Sequence, residues 1–198
     1  IGIVGSALND NEPDVKENET NVKEDVKLDE KKEEMSDEKE ESKKDDVPTE
    51  YKSALRKAET YSKTMHMSKI SIYDQLTSEH GEKFSEEAGQ YAIDNIKVDW
   101  NANALKKAET YSKTMHMSKQ GIYDQLTSEH GEKFTKEEAQ YAIDNIKADW
   151  NANALAKAKT YQETMSMSPE AIRHQLASEH GEKFTKEEAD YAIEHLDD

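Results

Sequence analysis

A decapeptide, Gln-Leu-Xaa-Ser-Glu-His-Gly-Glu-Lys-Phe, recurs at Gln75–Phe84, Gln125–Phe134 and Gln175–Phe184, varying only at Thr77, Thr127 and Ala177. The interval is 50 residues each time, and a strict period of that length restricts the chain to one module used repeatedly. Residues 51–100 and 101–150 agree at 39 of 50 positions, and 101–148 and 151–198 agree at 31 of 48. Three units follow, at 51–100, 101–150 and 151–198.

Within the middle unit, Leu105, Ala108, Tyr111 and Met115 recur at three- and four-residue steps and predict a first helix. Ser118 stands as the N-cap of a second helix, and in the third unit Ser168 is followed by Pro169, the residue suited to the first helical position. Ile122 and Leu126 share one face of that helix. Gly131, with Gly81 and Gly181 in the other units, reads as its left-handed C-cap. Thr135-Lys136-Glu137-Glu138 and Thr185-Lys186-Glu187-Glu188 then form capping boxes, while Ser85-Glu86-Glu87-Ala88 keeps the cap but lacks the reciprocal Glu. The third helix carries Ala139, Ala142, Ile143, Ile146 and Trp150 along one stripe. Phe84, Phe134 and Phe184, with Trp100 and Trp150, are structural candidates, the tryptophans packing where one unit passes into the next. Asn101 and Asn103 favour a bend there over a continuous helix. The expected fold is all-α: three tandem three-helix, helix-turn-helix-like repeats.

Ahead of the repeats the composition changes. Residues 9–50 consist largely of Asp, Glu, Lys, Asn, Ser and Thr without an aromatic residue, and predict a disordered acidic spacer. Residues 1–50 carry 8 Lys and 18 Asp or Glu, hence −10; the repeats add −1, −1 and −5, for the total of −17. Such a charge repels nucleic acid and anionic lipid and attracts basic partners. Residues 1–8 are apolar but too few to span a bilayer; they read either as an arbitrary edge or as the remnant of a membrane anchor or signal segment. Cysteine is absent, which excludes thiol chemistry.

Several motifs invite chemistry and do not carry it. Glu79-His80-Gly81-Glu82 and its copies fit no compact zinc or calcium spacing. His66 and His116 give way to Ser166 in the third copy, so catalysis at that position is not expected. Met65, Met67 and their copies read as core filler. The helix-turn-helix look suggests DNA binding, but Lys136-Glu137-Glu138 and Glu86-Glu87 would set carboxylates against phosphates. No nucleophile–base pair or cleft is evident. No enzyme activity, cofactor or metal is expected, and no nucleic acid.

The run Asn103-Ala104-Leu105, Ala108, Tyr111, Gln125-Leu126-Thr127-Ser128-Glu129, Gly131, Phe134, Ala139, Tyr141-Ala142 and Asp149-Trp150 resembles the Ltp family of host-cell-surface-exposed lipoproteins. The likeness extends over all three repeats, without a lipobox Cys and with three copies. It implies a protein tethered at its N-terminus to the outer face of the cytoplasmic membrane of a Gram-positive bacterium; a monomer is expected. Membrane attachment would run only through an anchor not contained in this chain. The resemblance also implies superinfection exclusion, in which a basic phage injection protein such as the tape measure protein is bound and DNA entry blocked. The alternative is a host surface array contacting its own envelope. Partner-binding candidates are the acidic side chains Glu79, Glu82, Glu129, Glu132, Glu179, Glu182, Glu187, Glu188, Asp190 and Glu194.

Overall fold

A computed structural model describes residues 47–198. The anchor remnant and nearly all of the acidic spacer expected at residues 1–50 lie outside the described residues. Among those described there are nine helices and no strand, three helices per repeat. They are α1 (Thr49–Met65), α2 (Lys69–Thr77) and α3 (Glu86–Asn95); α4 (Trp100–Met115), α5 (Lys119–Thr127) and α6 (Lys136–Asn145); and α7 (Trp150–Met165), α8 (Pro169–Ala177) and α9 (Lys186–Glu194). No helix among them is long and apolar enough to cross a membrane.

Each repeat has its own small core. In the middle one, Ala104 and Ala108 of α4 meet Ala139 and Ala142 of α6, with Ile122, Leu126, Ile143 and Phe134 closing the space. The long helix packs chiefly on the third, and alanine at the contact lets the two axes approach closely. The first-helix stripe is therefore set differently from the sequence pattern. Ala104 is fully buried, whereas Met115 is 51% exposed, as are Met65 at 51% and Met165 at 63%. Only Met67, Met117 and Met167, past the helix end, pack on the cores. The expectation that Met65 and its copies fill the core is thus corrected.

The caps explain the punctuation. Ser68 and Ser118 accept the N–H groups of Ser71 and Gly121, and Thr135 and Thr185 form complete capping boxes with Glu138 and Glu188. In the first repeat, where the box lacks its Glu, Glu50 of α1 accepts the Ser85 N–H at 2.8 Å. A carboxylate from the neighbouring helix thereby takes the missing role.

The left-handed positions are not the glycines. The second helix ends earlier than expected, at Thr77, Thr127 and Ala177, with an extended Ser as C-cap. Positive φ occurs instead at His66, His116 and Ser166, which cap the first helices, and at Lys83, Lys133 and Lys183 in the turn. Gly81, Gly131 and Gly181 are needed for room: a Cβ there would lie 2.2, 2.4 and 2.1 Å from the carbonyl oxygen of Gln75, Gln125 and Gln175.

At the junctions the third helix does break, at Asn95 and Asn145, but Asn101 and Asn103 are not the cause. Asp99 and Asp149 cap the next helix by accepting the N–H of Ala102 and Ala152, and Trp100 and Trp150 are the first residues of α4 and α7. Each Trp nevertheless packs back on the core of the repeat before it. In the third repeat Leu196, at the position of Ile96 and Ile146, is buried in the core.

One difference between otherwise matching positions is open to test. Ser71 donates its hydroxyl to the Glu132 carbonyl at 2.9 Å, and Gly121 stands at the same place in the next repeat. Gly121→Ser should stabilise the array by about 1 kcal/mol, by helix propensity and one restored hydrogen bond. A urea midpoint unchanged or lowered by the substitution would contradict this.

Candidate interaction surface

The recurring decapeptide folds as a hook. After Leu126 the chain turns back across the helix end it has just left: Gly131 N–H reaches the Ser128 carbonyl, Glu132 N–H the Gln125 carbonyl, and Phe134 N–H the Leu126 carbonyl at 2.8 Å. These bonds satisfy carbonyls that the end of α5 would otherwise leave open. They also fix where Glu132 and Lys133 point.

Glu132 is occupied twice. Its carboxylate accepts the Tyr111 hydroxyl and the Lys107 ammonium, the latter at 3.1 Å, within its own repeat. Its carbonyl accepts the Ser68 hydroxyl of the preceding repeat at 2.5 Å. Lys133 donates to Asp74 of that repeat at 2.5 Å. The same set recurs one period later, with Tyr161 and Lys157 on Glu182, Ser118 on the Glu182 carbonyl and Lys183 on Asp124. A buried asparagine completes each junction. Asn103 donates to Ser62 Oγ at 2.9 Å and to the Met67 carbonyl at 3.0 Å, and Asn153 does the same to Ser112 and Met117. An asparagine inside a helix is tolerated here because it satisfies a backbone carbonyl just past the preceding repeat's left-handed cap.

The ten acidic candidates therefore divide. Glu79, Glu129, Glu179, Glu187 and Glu194 are exposed. Glu82, Glu132 and Glu182 are not the free surface charges expected; their side chains are 24, 14 and 19% accessible and bind Tyr and Lys of their own repeat. Glu188 is held in its capping box, and Asp190 pairs with Arg173 at 2.9 Å. The two groups look alike in sequence because the ties come from 21 and 25 residues away. A signal existed: Tyr61, Tyr111 and Tyr161, like Lys57, Lys107 and Lys157, are the same in every copy. Phe134 and Phe184 are buried, while Phe84, with no repeat ahead of it among the described residues, is only partly so. No group of three or more His, Cys, Asp or Glu among the described residues could hold a metal ion.

The ties to glutamate set a pH window. Burial, and then the hydrogen bond to carboxylate, push the phenols of Tyr111 and Tyr161 up to about 12. Raised above the ordinary 10.0, they contribute stability that is fully present below pH 10 and lost as pH climbs toward 12. On the acid side the Tyr61 hydroxyl, and then Lys57, hold the Glu82 carboxyl below its usual 4.5. That contribution is present above pH 4.5 and lost as pH falls further. Melting temperatures should accordingly decline at both edges, with Tyr111→Phe removing part of the alkaline loss. Tyrosinate absorbance rising as one transition near pH 10 in the folded chain would contradict the alkaline limb.

Three helical modules, tied by a hydrogen-bonded clasp and carrying an uncommitted carboxylate at each turn, define an all-α tandem-repeat protein. The family model described as host cell surface-exposed lipoprotein, Lipoprotein_Ltp, matches residues 49–96, 99–146 and 149–196, and the chain belongs to this family. A solved structure titled as Ltp, a superinfection exclusion protein from the Streptococcus thermophilus temperate phage TP-J34, is 46% identical in sequence. That match covers 51% of this chain and 99% of the other, with a TM-score of 0.47. No curated protein matches the chain significantly.

Proposed function

We propose that the chain is tethered at the outer face of the cytoplasmic membrane of a Gram-positive bacterium. There it blocks DNA entry by superinfecting phage, binding a basic protein of the injection machinery such as the tape measure protein. The observation that carries this is the family match, which falls on all three repeats rather than on a fragment of one. The net charge of −17 supports a basic partner, and the exposed Glu79, Glu129 and Glu179, one per repeat, supply carboxylates not tied down by the fold.

Cells expressing the anchored protein would be challenged with a panel of phages, scoring adsorption and DNA entry separately. Adsorption should be unchanged and entry reduced for at least one phage. Unimpaired entry throughout the panel would sink the exclusion role. Binding to the purified phage protein should also weaken as salt rises beyond physiological strength, since exposed charges are screened over about 8 Å there.

A further inference from the structure

The clasp leaves a groove where the first repeat meets the second. It measures about 520 Å3 and is lined by Ile70, Thr127, Glu129, His130, Lys133 and Phe134. Ile70 is 50% exposed on α2. The equivalent residues are Gln120 on α5 and Glu170 on α8, in copies that fold the same way, so the fold does not call for an apolar side chain there. Helix propensity also favours Gln and Glu over Ile. Together with Phe134, Ile70 gives the groove an apolar wall open to a side chain from a partner.

The charges around the groove say what kind of group that is. Lys133 is already held by Asp74, so its ammonium is not on offer. Glu129 is exposed and makes no ion pair among the described residues. An apolar wall beside an uncommitted carboxylate suits an aliphatic or aromatic side chain next to a lysine or arginine. The corresponding groove at the second junction, about 710 Å3, keeps Glu179 and His180 but has Gln120 in place of the isoleucine and Ala177 in place of Thr127. It retains the carboxylate and lacks the apolar wall.

We propose that the groove between Ile70 and Phe134 is the docking site for the basic partner protein, taking a segment in which a large apolar side chain is followed by a cationic one. This rests on the exclusion reading and narrows it to one of the two junctions.

The full chain, isotope-labelled, would be titrated with the peptide Lys-Leu-Lys-Leu-Lys and followed by NMR. Shifts should centre on Ile70, Glu129 and Phe134, and Ile70→Gln should weaken binding on the order of tenfold, the loss of one aliphatic contact. Gln120→Ile should add a second set of shifts around Glu179 and Phe184. Equal affinity for Ile70→Gln, or for a Lys-Gly-Lys-Gly-Lys peptide, would overturn the proposal in favour of plain charge attraction. Both substituted positions are exposed, and unchanged melting temperatures would confirm intact folding. The phage assay separates the two claims. If the wild type excludes phage and the Ile70→Gln, Glu129→Gln double variant excludes equally well, the groove assignment falls and the exclusion reading stands. If the wild type excludes none but the peptide shifts appear where expected and respond to Ile70→Gln, the groove stands and the exclusion reading falls.

Discussion

Gly131→Ala should destabilise the array by about 3 kcal/mol, at the upper end of the range for forcing a methyl group into a filled site. The added Cβ would lie 2.4 Å from the Gln125 carbonyl oxygen and 2.9 Å from the Gln125 side-chain amide. The amide can swing away; the carbonyl cannot, because it accepts the Glu132 N–H at 3.1 Å and belongs to the last turn of α5. Relief requires opening the hook, which moves the Glu132 carbonyl away from Ser68 and Lys133 away from Asp74. The damage should therefore reach both the middle repeat and its junction with the first. Chemical unfolding followed by the two tryptophans, Trp100 on the first core and Trp150 on the second, would register it at both. A loss below about 1 kcal/mol, the size expected of a merely conformational glycine preference, would refute the steric account.

Glu132→Ala should cost about 2–3 kcal/mol, whereas Glu129→Ala, three residues earlier, should be close to neutral. The side chain of Glu132 is 14% accessible and is the common acceptor for Tyr111 and Lys107; its removal strands a largely covered ammonium and a phenol. Glu129 has no such partner among the described residues. If the two variants lost equal stability, the division of the acidic residues into structural and available ones would fail. The contrast also guards the functional assays, because a Glu132 variant that stops binding a partner could do so simply by loosening the repeat.

Elements that depend on near neighbours are legible in the sequence itself. The three-helix period, Ser118 and Thr135 as caps, Pro169 at a helix start, and Ile122 with Leu126 as a buried pair all follow from spacings of a few residues. Elements that depend on distant partners are not. Gly131 reads as a left-handed cap because glycine usually is one, yet its constraint comes from a carbonyl six residues back. His116 holds the left-handed conformation without any glycine signal. Asn103 reads as a helix breaker, and it sits inside α4 because Ser62 and Met67 wait for its amide 41 and 36 residues away. At the surface, nothing within a few residues of the ten acidic side chains sorts them; the repeated Tyr and Lys that engage Glu132 lie 21 and 25 residues earlier. Whether a glutamate is engaged by a tyrosine of its own repeat is decided by packing, which leaves no local trace.

The clasp has a further consequence for how such a chain can change. Its residues are incomplete in the two outer repeats: the first has Ser53 where Asn103 and Asn153 stand but keeps Lys83, and the third has Gln162 and His174 for Ser112 and Asp124 but keeps Ser168. The two junctions share the serine, asparagine, lysine and aspartate of the clasp and differ in Ser71 against Gly121 and Ile70 against Gln120. Deleting residues 101–150 would bring Ser62, Ser68 and Asp74 against Asn153, the Glu182 carbonyl and Lys183, a pairing already chemically complete. Duplicating the same segment would add a unit whose two faces both fit. Recombination between the near-identical copies can thus change the number of repeats while leaving each junction its hydrogen-bonding partners.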